Sequence, residues 1–146
     1  IAVSACLQSA RGQIDQYFSL ESVTAIVKAL EASDDAWALK TAETLRKRSP
    51  LMLHVVLEQV RRARDMTLAD DLRMERDLVR HCFTTAHLGR RGPSSETVEG
   101  IRALAVDKDH SPQWNPARIE DVSAEMVAPF FVSPWPAYAH PLADLA

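Results

Sequence analysis

Glu99-Gly-Ile-Arg-Ala-Leu-Ala-Val-Asp-Lys-Asp-His-Ser-Pro-Gln-Trp-Asn-Pro116 sets a helix, a charged stop and a rigid exit in one short run. From Glu99 to Val106 the chain reads as one or two helical turns, with Ile101, Leu104, Ala105 and Val106 supplying apolar surface. Asp107-Lys108-Asp109 breaks that run with three adjacent charges. Ser111-Pro112 and Asn115-Pro116 push the residue before each proline out of the helical region. The chain therefore leaves extended, with Trp114 held between two stiff points.

Upstream of this stretch the chain permits helix almost everywhere. Gly12 and Pro50 are the one glycine and the one proline before residue 85, and the other seven prolines come later. Ser19 can cap a helix running to about Ala32, with Val23, Ile26, Val27 and Leu30 on one face. Ser33-Asp34-Asp35 opens another, with Trp37, Leu39, Ala42 and Leu45 near one side. Ser49-Pro50 is a strong start, because the serine accepts a free amide and proline at the first position has none to lose. Leu53, Val56, Leu57 and Val60 follow at helical spacing. Thr67 with Asp70 resembles a capping box and opens a helix to about Phe83. Leu68, Leu72, Leu78, Val79, Cys82 and Phe83 form its apolar stripe, and Arg73 and Asp77 pair on the outside. Residues 20–83 are thus expected to form four consecutive helices broken near Ser33, Ser49 and Thr67. Period-2 strand patterns are absent, so the expected fold class is all-α. The apolar faces of the 50–62 and 68–83 helices are broader than a small bundle needs, so part of them is expected to pack on a partner.

Composition excludes several classes. With 47% apolar and 25% charged residues the 146-residue chain is ordinary for a soluble domain. A net charge of -3 argues against a dominant nucleic-acid surface. Two cysteines, Cys6 and Cys82, are too few for a disulfide framework and suit a reducing compartment. No apolar run is long enough to span a membrane.

Recognisable catalytic motifs are absent: no phosphate-cradling glycine loop, no His-x-x-x-His, no Cys-x-x-Cys and no Gly-x-Ser-x-Gly. His81, Cys82 and His87 could suggest a metal, but adjacent helical residues diverge by about 100°. Cys82 reads better as a small core residue, and no metal is expected. His54 and Glu58 are spaced as a surface pair. Asp70, Asp71, Glu75 and Asp77 read as a solvated face at a helix start, where carboxylates suit the dipole. Arg46-Lys47-Arg48, the arginines at 61, 62 and 64, and Arg90-Arg91 are short basic clusters.

The closing stretch closely resembles the C-terminal signature of 3-hydroxyisobutyryl-CoA hydrolases and their relatives in the crotonase (enoyl-CoA hydratase/isomerase) superfamily. That signature reads E-G-V-R-A, three apolar residues, then D-K-D-x-x-P-x-W-x-P. The resemblance runs in order from about residue 10 to 131, taking in Ile14 to Ser19, the Arg48-Ser-Pro-Leu helix start, Leu68 to Cys82, and a terminal helix from Arg118 to Phe131. It implies a helical C-terminal cap of a crotonase-like protein whose ββα spiral core lies outside this chain. On that reading Ile1 falls inside a longer protein. The chain divides into a helical segment (1–83), an extended loop insertion (84–95), the signature with the terminal helix (96–131) and a Pro/aromatic tail (132–146). The loop is longer than the family joint, Glu96 takes the place of its final acid, and the tail lies beyond the family pattern.

For function, the resemblance implies CoA-thioester hydrolysis in valine degradation, in the mitochondrion, with CoA as part of the substrate and no separate cofactor. The oxyanion hole and the acids that handle water and protons belong to the missing core. No catalytic residue is expected in this chain. Lys108 matches a lysine near the adenine and phosphate end of CoA, and an ammonium suits a phosphate as a point charge. Against that, Lys108 could pair with Asp107 or Asp109, or end the helix. Val79 and Phe83 match the region bordering the adenine, although core packing explains them too. The alternative is a homologue without activity, built into an assembly such as the small subunit of the mitochondrial ribosome. Arg90, Arg91 and the tail would then touch other proteins or rRNA. Expected partners are the N-terminal core and an acyl-CoA substrate, with no membrane.

Overall fold

Helix starts are where this sequence speaks most plainly, and in the computed structural model, which describes residues 2–90 and 94–145, they fall at short polar side chains. The helices are α1 (Ala2–Phe18), α2 (Val23–Glu31), α3 (Ala36–Arg46), α4 (Pro50–Ala63), α5 (Leu68–Phe83), α6 (Glu96–Ile101) and α7 (Ala124–Val127). The four helices expected between residues 20 and 83 are α2 to α5. No strand occurs among the described residues. Backbone amides find oxygens at five of the starts: Ala25 N donates to Ser22 Oγ at 3.1 Å, Ala38 N to Asp35 Oδ1 at 3.0 Å, Met52 N to Ser49 Oγ at 3.2 Å, Asp70 N to Thr67 Oγ1 at 3.2 Å and Val98 N to Ser95 Oγ at 3.1 Å. Each cap satisfies one amide that helical geometry leaves without an internal acceptor. The α2 cap is Ser22, not Ser19, whose hydroxyl instead donates to the Gln16 carbonyl at the end of α1.

The chain forms two units, residues 1–48 and 49–146. In the first, Val23, Ile26, Val27 and Leu30 of α2 are buried, as are Ala38 and Ala42 of α3. Tyr17 completes this core, its hydroxyl 2.9 Å from Ser33 Oγ and its ring 6.4 Å from that of Trp37. The core face of α3 is made by its alanines, because Leu39 is exposed.

The second unit is centred on Leu51, Val55, Met74, Leu78, Val127 and Phe130. Two expectations for α5 are corrected here. Its buried face is Met74, Asp77, Leu78 and His81, while Leu68, Val79 and Phe83 are 75%, 53% and 60% exposed. Asp77 is not on a solvated face and does not pair with Arg73. It accepts from Ser133 Oγ at 3.1 Å and His140 Nε2 at 3.2 Å, while Arg73 turns to Asp70 and the carbonyls of Leu142 and Leu145. His140 Nδ1 accepts from the Leu142 amide, so Nε2 carries the ring proton and donates the hydrogen bond to Asp77. His54 likewise bonds the Ile119 carbonyl instead of Glu58, which pairs with Arg62.

The terminal helix expected over 118–131 is broken into a 3₁₀ turn (Ile119–Asp121), α7 and a second 3₁₀ turn (Ala128–Phe131). Pro129 lacks an amide proton and cannot continue the α-helical ladder, and the short pieces bury Ile119, Val127 and Phe130 separately. The tail is no free arm. Its docking on α5 through Asp77 and Arg73 is joined by Trp135, which lies under the guanidinium groups of Arg76 and Arg80 at 5.0 and 5.4 Å.

Candidate functional site

Arg102 organises the signature stretch. α6 ends at Ile101 and runs on as a π-helical turn over Arg102–Val106, so the Asp107 amide donates to the Arg102 carbonyl at 2.8 Å. Wide turns of this kind mark functional segments of helices. The Arg102 guanidinium grips Glu99 in a fork at 2.9 and 2.8 Å, then reaches Asp107 at 2.6 Å, Asp109 at 2.7 Å and the Ser111 carbonyl at 3.1 Å. These carboxylates hold Arg102 firmly charged, the Glu99 contact most of all. Arg102 in turn depresses the carboxyl pKa values of Glu99 and Asp109.

That arrangement decides what surrounds Lys108. Both aspartates flanking it are taken by Arg102, and among the described residues Lys108 makes no ion pair. Lys108 and His110 both sit in the left-handed region, at φ 56° and 54°. Such backbone costs a non-glycine residue about 1 kcal/mol or more and persists only when its surroundings over-determine it. Here they do: the His110 amide donates to the Ala103 carbonyl at 3.0 Å and the Ser111 amide to Asp109 Oδ1 at 2.8 Å. The result is a rigid turn that presents an exposed ammonium.

Glu96 anchors the turn from below. It is buried, takes a 2.5 Å hydrogen bond from the Ser49 hydroxyl at the head of α4, and accepts from the Asn115 amide at 3.1 Å. Burial raises its pKa, opposed by Ser49, Asn115 and Arg90. Arg90 lies 3.8 Å from Glu96 and donates to the Asn115 carbonyl at 2.8 Å, so it fastens the 84–90 segment to the exit of the signature instead of standing free for phosphate. Arg91 lies outside the described residues. Trp114 leans on Gly100, where an added Cβ would meet its ring at 3.4 Å.

Val79 and Phe83 are not core residues of this chain; they form an exposed apolar strip on α5, which packs against α6. Cys82 is half-buried, and burial raises its thiol pKa. No cluster of three potential metal ligands occurs among the described residues. No described helix is long and apolar enough to cross a membrane. Sequence reasoning missed Arg102 as the hub, although its place three residues after Glu99 was a readable signal. It also missed Asp77 with His140, which are 63 positions apart.

One pair on the α5 side has a measurable consequence. The His81 and His87 rings lie 4.2 Å apart, and His87 meets Phe130 edge-on at 4.4 Å. Burial, with His81 next to it, pushes the His87 pKa down to about 4, and only the Thr84 backbone works appreciably the other way. The unfolded chain takes up this proton near the usual histidine value and the folded chain does not, so stability is lost as pH falls from about 6.5 to about 4. Allowing for solvent around the ring, urea unfolding should show about 1–2 kcal/mol less stability at the acid end. His87→Phe should flatten that part of the profile. An unchanged pH dependence in the variant would contradict the assignment.

The enoyl-CoA hydratase/isomerase family profile matches residues 2–131, and the chain belongs to that family. It is 38% identical over 122 residues to 3-hydroxyisobutyryl-CoA hydrolase-like protein 5 of Arabidopsis thaliana, covering 81% of this chain and 30% of that protein. Small ribosomal subunit protein mS47 of the same plant is 38% identical over 123 residues, covering 81% of this chain and 28% of its own length. The mitochondrial 3-hydroxyisobutyryl-CoA hydrolase of Danio rerio is 36% identical over 127 residues, covering 87% and 31%. In structure, the chain is similar to an enoyl-CoA hydratase from Rhodobacter sphaeroides 2.4.1, with a TM-score of 0.74 and 29% identity, over 88% of this chain and 35% of that one. The chain thus spans about 30% of the length of the relatives it matches.

Proposed function

We propose that the chain is the helical cap of a mitochondrial 3-hydroxyisobutyryl-CoA hydrolase-like protein, and that Lys108 holds the phosphate-bearing end of CoA. The observation that supports this reading best is the division of labour around Arg102. An ammonium flanked by two aspartates would ordinarily be neutralised by them, yet here both are bound by a guanidinium. A rigid turn that keeps a lysine without an ion pair among the described residues favours an anionic ligand from outside. Val79 and Phe83, exposed on α5, supply an apolar surface suited to a flat base. The missing core would cover the remaining apolar residues, Val56 and Val60 of α4 among them. The reaction itself, water attacking a thioester, needs donors aimed at the developing oxyanion. On the family resemblance those donors lie in the core, so this chain contributes binding and closure, and no cofactor beyond the CoA of the substrate.

A second reading, a structural subunit without activity, is favoured by the mS47 relative, whose identity to this chain equals that of the hydrolase-like protein. Arg90 and the tail give it less support than the sequence suggested, because both are bound within the chain. The intact protein separates the two. With 3-hydroxyisobutyryl-CoA it should release free thiol, and it should not co-sediment with ribosomal small subunits. Co-sedimentation without thiol release would replace the first reading by the second.

A further inference from the structure

Arg73, Asp77 and His81 recur every four residues along one face of α5, and each binds a different point of the tail. His81 Nε2 donates to the Val132 carbonyl at 2.8 Å, because a carbonyl can only accept. Asp77 takes its two hydrogen bonds from Ser133 and His140, and Arg73 donates to the Leu142 carbonyl at 3.1 Å and to that of Leu145. From Val132 to Leu145 the tail thus runs back along α5 toward the start of that helix, fastened over about 12 Å of its length. These contacts do what the core beneath them does not. Met74 and Leu78 hold α5 to the rest of the 49–146 unit by apolar contact, which is non-directional and lets a helix roll about its axis. Hydrogen bonds weaken steeply off their axis, so a row of them along one face fixes that roll. Val79 follows Asp77 by two residues and Phe83 follows His81 by two, which places each about 200° around the helix from a fastened residue. The heading of the exposed Val79 and Phe83 strip is therefore set from the opposite, tail-bound side of α5.

We propose that the tail is a strap that sets the roll of α5, and that Asp77 and His140 are positioning residues that aim Val79 and Phe83 at the base of the CoA ligand. This role rests on the function proposed above and adds to it a part that the family profile, which ends at residue 131, does not include. Asp77 and His140 act through α5, from the side of the helix turned away from the strip. Both are buried, and their hydrogen bond joins positions 63 residues apart, so it closes the strap at its middle.

The intact protein, ended after Phe131 or carrying His140→Ala, tests the strap with 3-hydroxyisobutyryl-CoA and with the matching pantetheine thioester, which lacks the nucleotide. Either change should raise KM for the CoA thioester about fivefold, and leave kcat and both constants for the pantetheine thioester as they were. His140→Gln, whose amide can still donate to Asp77, should recover most of that loss. Should the shortened protein fail to fold, His140→Ala carries the test. In either variant the methyl resonances of Val79 should shift, while those of Val27 in the 1–48 unit stay fixed. These signals separate the strap from the function it rests on. A parent protein that turns over neither thioester removes the CoA reading, and a shift at Val79 then still upholds the strap. Unmoved Val79 signals, an equal loss on both thioesters, or an unchanged KM in an active protein would overturn it.

Discussion

Replacing Glu96 by alanine should lower the stability of the 49–146 unit by roughly 3 kcal/mol, because several partners lose their acceptor at once. The Ser49 hydroxyl at 2.5 Å and the Asn115 amide at 3.1 Å both point at this carboxylate, and Arg90 stands 3.8 Å away. Ser49 is itself buried and caps α4. The loss therefore spreads from the signature to the helix carrying Leu51 and Val55. Glu96→Gln keeps one acceptor oxygen but turns an NH₂ toward a donor, so about half that cost is expected. Urea unfolding followed by tryptophan fluorescence measures both, since Trp114 leans on the affected segment. A cost below about 1 kcal/mol for the alanine variant would mean that water replaces the carboxylate without difficulty.

Arg102→Gln should weaken CoA binding by the intact protein although Arg102 touches no ligand in this account. Without the guanidinium, Asp107 and Asp109 lose their partner and are free to pair with Lys108, the nearest cation in sequence. The left-handed turn also loses the contacts that stabilise it at φ 56°. Affinity for CoA should fall about tenfold, the scale of one lost charged hydrogen bond. Adding Lys108→Ala to Arg102→Gln should then cost little more, because the two changes remove the same interaction. Full additivity of the two effects would show that Arg102 does not act through Lys108.

The helices were legible wherever their signals were local. Ser49-Pro50, Asp35 and Thr67 mark starts through side chains two or three residues from the amides they cap. The inward face of α2 follows from spacing, but that of α4 does not: Leu51 and Val55 are buried, while Val56 and Val60 of the expected stripe are half exposed. The orientation of α5 was not legible, for a physical reason. Its apolar residues occupy two faces, and the buried one includes His81 and also Asp77, which sequence reasoning sends to solvent. They are tolerated there because Ser133, His140 and the Val132 carbonyl, more than fifty positions away, satisfy them. Such long-range pairs leave no periodic trace. Of the three residues expected at the CoA site, Lys108 stands beside two aspartates that pair with Arg102, an arrangement its neighbours in sequence did not announce. Val79 and Phe83 proved exposed where core packing had been the simpler expectation.

Steady-state hydrolysis of 3-hydroxyisobutyryl-CoA by the intact protein, with Lys108 and with Lys108→Ala, tests the central claim most directly. A contact remote from the reacting carbonyl contributes equally to substrate and transition state, so it acts on KM and spares kcat. The account predicts a KM raised about tenfold, with kcat within about twofold of the parent. An unchanged KM, or a loss confined to kcat, would contradict it.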